Sequence, residues 1–552
     1  MHIPSLALTL TIAAIAGTLP AQITALVNDP MSHGTLGDGA LSLDEAIRVG
    51  NGEPLFTEFS AAELAQFRGP VPAPAEVIEI DASTTPTITL ERQLSPVAGP
   101  ALSLNAVEIR GVNGNVVLDG GGVLEIVPLH TNLVVLRHLT FQRGGIGVTF
   151  DTRQRYLPGG RATIEDCVFT GQSQAGLEVR STPLIPGGIE PIDVRRARFV
   201  GQPVGLRVRQ DSFAASIDVS CAHATFEGCG VGLEIDLRVD GRTTVAITRT
   251  DIVGGDFGIR SLGIGAGSLD LQYVHGKVHA ARSAFDLLGA SAAPTSIGLY
   301  HLDVRGGGAP ADYALRLEPS SAAFALRVGE SVLDGNILAQ SGPSGLDLRL
   351  DNSHLRNGDV AIESTGPEPR LEGNVFESAP ITVRPGTTAT QNFRHCEFVR
   401  SPIDNQSAVA PMFVTASHLT STFTTGVVVI QQLVPTRWIG RASVTPNDPP
   451  IGGSVDLAVD LQPQTAAAWL VGTSLLGPQE ALGARFYFDI TGAVALPGLF
   501  VHAQILRLAI PDVPALVGTE LYAQPVVVPN GGQPFVPPWA LPAGDRIAIQ
   551  AR

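Results

Sequence analysis

The sequence predicts an all-β solenoid, a chain wound into stacked coils of short strands, and three observations predict it. One phrase is written three times in succession: ATIEDCVFTGQSQAGLEV from Ala162, PIDVRRARFVGQPVGLRV from Pro191 and VSCAHATFEGCGVGLEI from Val219. Each is an alternating strand ending in Phe, then Gly two places on, then a second alternating strand opening Gly-Leu. The last apolar residue of each first strand recurs at Leu118, Phe141, Phe169, Phe199, Phe226, Ile252, Val274, Val304, Leu333, Leu355, Phe376, Phe398 and Leu419. Eight of these thirteen anchors carry Gly two places later, at 120, 171, 201, 228, 254, 276, 306 and 335, where chance would supply about one or two. Glycine there allows the positive φ of a sharp turn. The expectation is about thirteen coils of two strands each.

Composition suits such a stack. The 552 residues carry 44% hydrophobic but only 5% aromatic side chains, so the core must be built from Leu, Val, Ile and Ala in thin layers. A formal net charge of -16 excludes the electrostatic footprint of a nucleic-acid binder or of an anionic membrane surface. The segment MHIPSLALTLTIAAIAGTLPA has an apolar run too short to span a bilayer, followed by small residues. It reads as a secretory signal cut after Ala21, although its only positive charges are the amino terminus and His2. No later run reaches membrane-spanning length, so the expected mature protein is secreted or held at the cell surface, as a monomer.

Two capping boxes, Ser42 with Glu45 and Ser60 with Glu63, predict short helices over SLDEAIRVG and LAQF. Residues 22–85 are thus expected to cap the open apolar end of the first coil. The coils occupy 86–430 and a Pro/Gly-rich linker 431–453. Residues 454–552 hold six strand-like segments between Pro/Gly turns, which predict a β-sandwich.

Leucine-rich repeats share this period, but their LxxLxLxxN phrase is absent. The repeat from about Pro86 to Thr425 resembles the right-handed parallel β-helix family, the pectin-lyase-like solenoids. The Gly-Thr-Leu segment and Ala-Ile helix ahead of it resemble the opening of many secreted β-helix proteins. IPDVPALVGTELYAQPVVVP looks like a C-terminal β-domain appended to many exported proteins of environmental bacteria. The fold that the resemblance implies is shared by enzymes and non-enzymes, so function must come from side chains.

Alternation places one column of the second strands outward: Glu178, Arg207, Glu234, Arg260, Asp286, Arg316, Asp347 and Glu363. Stacked at ~4.8 Å per coil, these form a ladder of mostly alternating charge that would fix register. On the first strands, positions three and one before the anchor are expected to face outward. They gather Arg196, Arg198, His223, Arg249, Asp251, Tyr273, His301 and Asp303 over five coils, the candidate site. Arg, His or Tyr could abstract a proton beside a uronate carboxylate, and the same groups can hydrogen-bond sugar hydroxyls. The polygalacturonase phrases Asn-Thr-Asp, Gly-Asp-Asp, Gly-His-Gly and Arg-Ile-Lys are absent, as are GxSxG, HExxH and a P-loop.

Four cysteines are no disulfide framework in a chain this long. Cys167 and Cys396 lie nine coils apart, on the order of 40 Å, and are expected to be buried thiols. Cys221 and Cys229 share a coil, where a disulfide or two thiols are both compatible with the spacing. The expected role is a non-catalytic scaffold or adhesin-like module contacting extracellular polysaccharide or surface proteins, with no cofactor. The alternative is a polysaccharide lyase or glycoside hydrolase acting on an acidic glycan, in which calcium could take part.

Overall fold

The computed structural model describes residues 23–548 apart from 70–74, 100–105, 132, 156–160, 182–188, 212–215, 240, 263–266, 289–294, 319–323, 343, 416, 432–441, 446–449, 451, 460–464, 473–474, 482–483, 489–493, 496–499, 502–503, 514–519 and 530–545. The signal-like segment lies outside the described residues. The chain is 57% strand and 4% helix. Two sheets of 28 and 13 strands run the length of the stack, parallel except where Thr24 and Ala25 meet Arg68 and Phe67. Every coil-to-coil pairing within the stack is parallel and mostly in register: Phe169 meets Phe199, which meets Phe226, and Leu177 meets Leu206, which meets Leu233. The chain is a right-handed parallel β-helix.

Most coils have three strands where two were expected, while the coils opening at Arg242, Ser268 and Thr295 keep two, with first strands running unbroken over Arg242–Val253, Ser268–His279 and Thr295–Arg305. In the second phrase the three are Ile189–Arg195, Arg198–Val200 and Val204–Gln210. The residue three before the anchor adopts a left-handed conformation, which divides the first expected strand at Asp166, Arg196 and His223 but leaves it continuous through Arg249, His275 and His301. Asp166, Arg196, His223, Arg249, His275 and His301 have φ of 52°, 49°, 55°, 49°, 59° and 55°. A second left-handed column follows the anchor by two, at Gly171, Gly201, Gly228 and Gly254, and glycine there costs nothing. Two such bends per coil fold the strands into one closed layer.

The coil count differs slightly from the thirteen expected. The solenoid makes about ten turns, and ten of the thirteen strands in the narrower sheet have four residues or more. The last three, Ile381–Val383, Ile403–Asn405 and Thr424–Gly426, have only three residues each. One anchor also moves. Ile252 and Val304 both pair with Val278, so Val278 is the anchor and Val274 is not. Gly276 therefore leaves the turn column and faces Thr250 within the sheet.

Inside, anchors stack on one another. Phe141, Phe169, Phe199 and Phe226 lie with ring centroids 4.8, 4.7 and 4.5 Å apart and nearly parallel planes. The Gly of each Gly-Leu pair exists to admit them. A Cβ on Gly176 would lie 2.7 Å from the Phe199 ring, and one on Gly205 would lie 2.4 Å from the Phe226 ring.

At the N-terminal end both capping boxes form, on helices Leu43–Gly50 and Ala61–Leu64. The first helix buries Leu43, Ala46, Ile47 and Val49, and Phe56, Phe59 and Phe67 pack together beside it. The sheet already begins inside this segment, because Thr24–Val27 pairs in parallel with Val77–Asp81 and the latter with Val107–Val112. Beyond the stack the pairing turns antiparallel, Ala442–Thr445 and Gln504–Ala509 flanking Ser454–Val459. Thr465–Gly472 pairs in the same sense with Glu520–Pro529.

Candidate functional face

The eight candidate residues divide by burial. Arg196, Arg198 and His223 are exposed, and Arg249, Asp251 and Asp303 are partly so. Tyr273 and His301, expected on the outside, are 0% and 2% exposed. Tyr273 is inward because the true anchor lies five residues after it, which places its ring in the column of Ile247 and Leu299. Its hydroxyl donates to the carbonyl of Thr250 at 2.5 Å, and burial pushes its pKa well above 10. His301 sits in the left-handed column, but its ring stacks on that of His275 at 4.4 Å inside the coil, with Glu330 of the next coil 3.8 Å from Nδ1. Burial lowers the pKa of His301 to about 3, so it is neutral across the ordinary pH range. Neither residue can meet a ligand at the surface.

The exposed candidates are tied to neighbouring coils, mostly through partners outside the candidate set. Arg196 donates through Nε to Asp166 at 2.7 Å and through Nη2 to Glu165 at 2.6 Å. The hydrogen bond from Arg196 holds the Asp166 carboxyl below its usual range. Arg198 forms a two-pronged pair with Glu227, at 3.0 and 2.6 Å, and that contact lowers the Glu227 pKa. His223 Nε2 lies 3.4 Å from Nη1 of Arg249. Asp251 accepts the backbone N–H of Lys277 at 3.0 Å.

Asp303 sits 3.1 Å from His279 Nε2 and also accepts from Arg305. Burial alone would raise the Asp303 pKa, but His279 and Arg305 together bring it below the ordinary value. His279 is missed at the sequence level, and Lys277, the lone lysine, reads there as a turn residue rather than as part of this strand. With Val278 as anchor they fall one place either side of it, on the outer surface, so the same alternation rule would have found them. His354, 3.2 Å from Glu377, repeats the His–carboxylate pairing farther along this face.

The charge ladder lies on the other sheet and is shorter than expected. Glu178, Arg207, Glu234, Arg260, Asp286 and Arg316 are consecutive in register, but Arg316 then meets Leu338. Asp347 belongs to the broad sheet, opposite Ala325, and Glu363 pairs with Gln340. Glu178 is only 1% exposed because Arg180, Arg207 and Arg209 fold over it. Asp286, flanked by Arg260 and Arg316, is nearly as deep, and burial raises its pKa despite them. The four cysteines are all buried free thiols, so Cys221 and Cys229 form no bridge.

An open groove of about 450 Å³ crosses the broad sheet elsewhere. Its walls include Arg242, Asp270, Ser296, Phe324 and Asp347, and none of the eight candidates lines it. Among the described residues no helix is long and apolar enough to cross a membrane.

No family model matches this sequence, and no curated protein matches it. Among solved structures the chain is similar to the enzymatically active domain of tailspike protein 2 of bacteriophage CBA120, at 11% identity and a TM-score of 0.24. That match covers 85% of this chain and 71% of the tailspike domain. A likeness this distant leaves the functional reading to the side chains themselves.

Proposed function

We propose that the chain is an exported, non-catalytic β-helix that presents a polar, ion-paired face to extracellular polysaccharide. One observation carries this reading: most acid and base side chains of the candidate face are engaged in cross-coil ion pairs or hydrogen bonds, or are buried. A general base must be within reach of its proton and at a useful pKa. Arg196 and Arg198 are held cationic by carboxylates, Tyr273 and His301 are inside, and Asp166 and Glu227 are held ionised by their arginines. Such a face still suits sugar hydroxyls, which hydrogen-bond to guanidinium, imidazole and carboxylate without proton transfer. The groove beside Asp270 and Phe324 adds an apolar floor with polar rims, the composition a bound glycan needs.

The lyase or hydrolase alternative has one specific support, the surface pair His279–Asp303 at 3.1 Å, which could orient an imidazole as a base. Incubation with acidic and neutral polysaccharides in buffer containing calcium separates the two. Reducing ends and the ultraviolet absorbance of unsaturated uronate products are followed, with retention on immobilised glycan measured in parallel. The scaffold reading expects retention without product, weakened several-fold by Asp270→Ala. Product formation that disappears in His279→Ala would establish an enzyme and replace this reading.

A further inference from the structure

We propose that His275, His301 and Glu330 form an acid-sensitive latch on the three strands that wall the groove, so that acidification opens the groove and releases what it holds. These residues occupy the left-handed bend of three consecutive coils, with φ of 59°, 55° and 50°. On neighbouring coils that column reaches water, at Arg196, His223 and Arg249 before them and at Asn352 and His395 after. Here it turns inward: His275, His301 and Glu330 are 3%, 2% and 0% exposed. The two imidazoles stack with centroids 4.4 Å apart and planes 7° from parallel, and Nδ1 of His301 lies 3.8 Å from a Glu330 carboxylate oxygen.

The groove stands on the same strands. Ser268–His279 contributes Ser268 and Asp270 to its wall, Thr295–Arg305 contributes Thr295 and Ser296, and Phe324–Gly329, which runs directly into Glu330, contributes Phe324 and Ala325. Asp270, Ser296 and Ala325 are paired in register, and each lies five positions before its member of the stack, about 17 Å along a strand. The first two of these strands run unbroken through the bend. A displacement at the stack is therefore carried along them to the groove.

Neutral imidazoles stack in a core, whereas two imidazolium rings face to face repel each other where little water screens them. Glu330 is the carboxylate placed to offset one such charge. The other charged groups around the stack are directed elsewhere. On the preceding strand Arg249 and Asp251 are partly exposed, and Asp251 accepts from the N–H of Lys277. On the stack's own strands Lys277, His279 and Arg305 lie on the outer surface, and Asp303 is taken up by His279 and Arg305. Beyond Glu330, Asp334 pairs with Arg356, and Asp351 is partly exposed. The narrow-sheet strands of these coils turn Phe285, Leu315 and Leu317 inward and pair Asp286 with Arg316 on their far side, while the buried Tyr273 hydroxyl is committed to the Thr250 carbonyl. Burial lowers the pKa of His301 to about 3, and opening returns it to its ordinary value near 6.5. The open form thus binds more protons below pH ~6.5, and acid shifts the local equilibrium toward it. Release of a glycan rests on the binding reading above; the opening does not.

Hydrogen exchange of the full native chain at pH ~7.5 and pH ~5, either side of the ordinary imidazole value and corrected for intrinsic rates, tests the latch without any ligand. Protection of 270–276 and 297–303 should fall about tenfold at the lower pH, while that of 192–208 holds. His275→Phe combined with His301→Phe keeps two stacked rings and removes their protons, so its protection should be the same at both. Retention on an immobilised neutral polysaccharide, whose own charge does not change, reads the groove: several-fold weaker in acid for the native chain, and equal for the double variant. Equal protection of 270–276 and 297–303 at the two pH values in the native chain overturns the latch. A loss spread evenly over all coils, or one that persists in the double variant, overturns it too. Retention unaffected by pH in a chain whose strands do open overturns the coupling of stack to groove. A chain retained at neither pH fails the binding reading, and the exchange result then decides the latch by itself.

Discussion

At the scale of single residues, the most sensitive positions are the glycines facing the anchor column. Gly205 has the Phe226 ring 2.4 Å from where a Cβ would stand, and the backbone oxygen of Gly232 at 2.7 Å. Neither neighbour can retreat, since Phe226 is stacked on Phe199. Gly205→Ala should therefore destabilise by about 1–3 kcal/mol through overpacking, read as a lower denaturant midpoint. Phe199→Ala removes a ring sandwiched between two others and should cost on the order of 3–5 kcal/mol. A Phe199→Ala protein as stable as the native chain would show that the aromatic stack is not where the core's cohesion lies. Thiol chemistry offers an independent check on burial. Cys167, Cys221 and Cys396 have pKa values pushed up to about 12, and Cys229 to about 11, mainly by desolvation. A disulfide-exchange reagent should find none of these thiols in the folded protein and all four after denaturation. Recovery of only two would mean that Cys221 and Cys229 are bridged after all.

At the scale of elements, the charge ladder and the lateral ion pairs set how the stack responds to charge reversal and to acid. Arg207 donates to Glu234 at 2.7 Å and to Glu178 at 3.2 Å. Arg207→Glu would align three carboxylates on adjacent strands, one of them almost fully buried, and should cost about 1–3 kcal/mol more than Arg207→Gln. Equal stability of the two variants would remove the ladder from the account of register. For pH, the sign follows from which state binds protons more readily. His301 has a folded-state pKa depressed to about 3 from an ordinary value near 6.5, so the unfolded chain takes up its proton first. Its contribution is complete above pH ~6.5 and is lost as pH falls toward 3. Asp166 and Glu227, depressed by arginine, add a loss that begins lower, near the ordinary carboxylate range. Asp286, raised by burial, works in the opposite sense. The denaturant midpoint should thus fall on acidification from pH 6.5. The fall between 6.5 and 4.5 should be shallower in His301→Leu, and an unchanged slope there would assign the acid sensitivity to the carboxylates alone.

At the scale of the whole molecule, a parallel solenoid is nearly one-dimensional, each coil touching only its neighbours, so stability is a sum over coils and interfaces. The ends then matter more than in a globule, because each lacks one neighbour. Here the first coil is closed by the chain that precedes it. Salt should have little effect on global stability, since the lateral pairs are mostly solvent-screened. It should lower retention on an acidic glycan if exposed arginines such as Arg327 and Arg394 contribute to binding. Elution unaffected by salt would point instead to the apolar floor of the groove at Phe324.

The sequence by itself determined the strand-turn repeat, the parallel all-β stack and the two capped helices ahead of it. Those depend on local alternation, capping boxes and glycine spacing, which act over a few residues. Tertiary structure decided what local pattern leaves degenerate. LQYVHGKVHA offers two apolar residues, Val274 and Val278, and the first has the expected Gly two places on. Only the fit of Tyr273 into the core, with its hydroxyl on the Thr250 carbonyl, selects the second. That four-residue shift moved Tyr273 inside and brought Lys277 and His279 to the surface. The same limit hid the three-strand coil, because a single left-handed residue such as Arg196 or His223 does not interrupt an apolar alternation. It also misplaced Asp347, since Asn336–Gln340 and Leu346–Asp351 are both short apolar strands, and pairing with the neighbouring coil alone assigns each to its sheet. Which polar side chains reach solvent is set by neighbours one coil away, more than twenty residues along the chain, and no window on the sequence contains them.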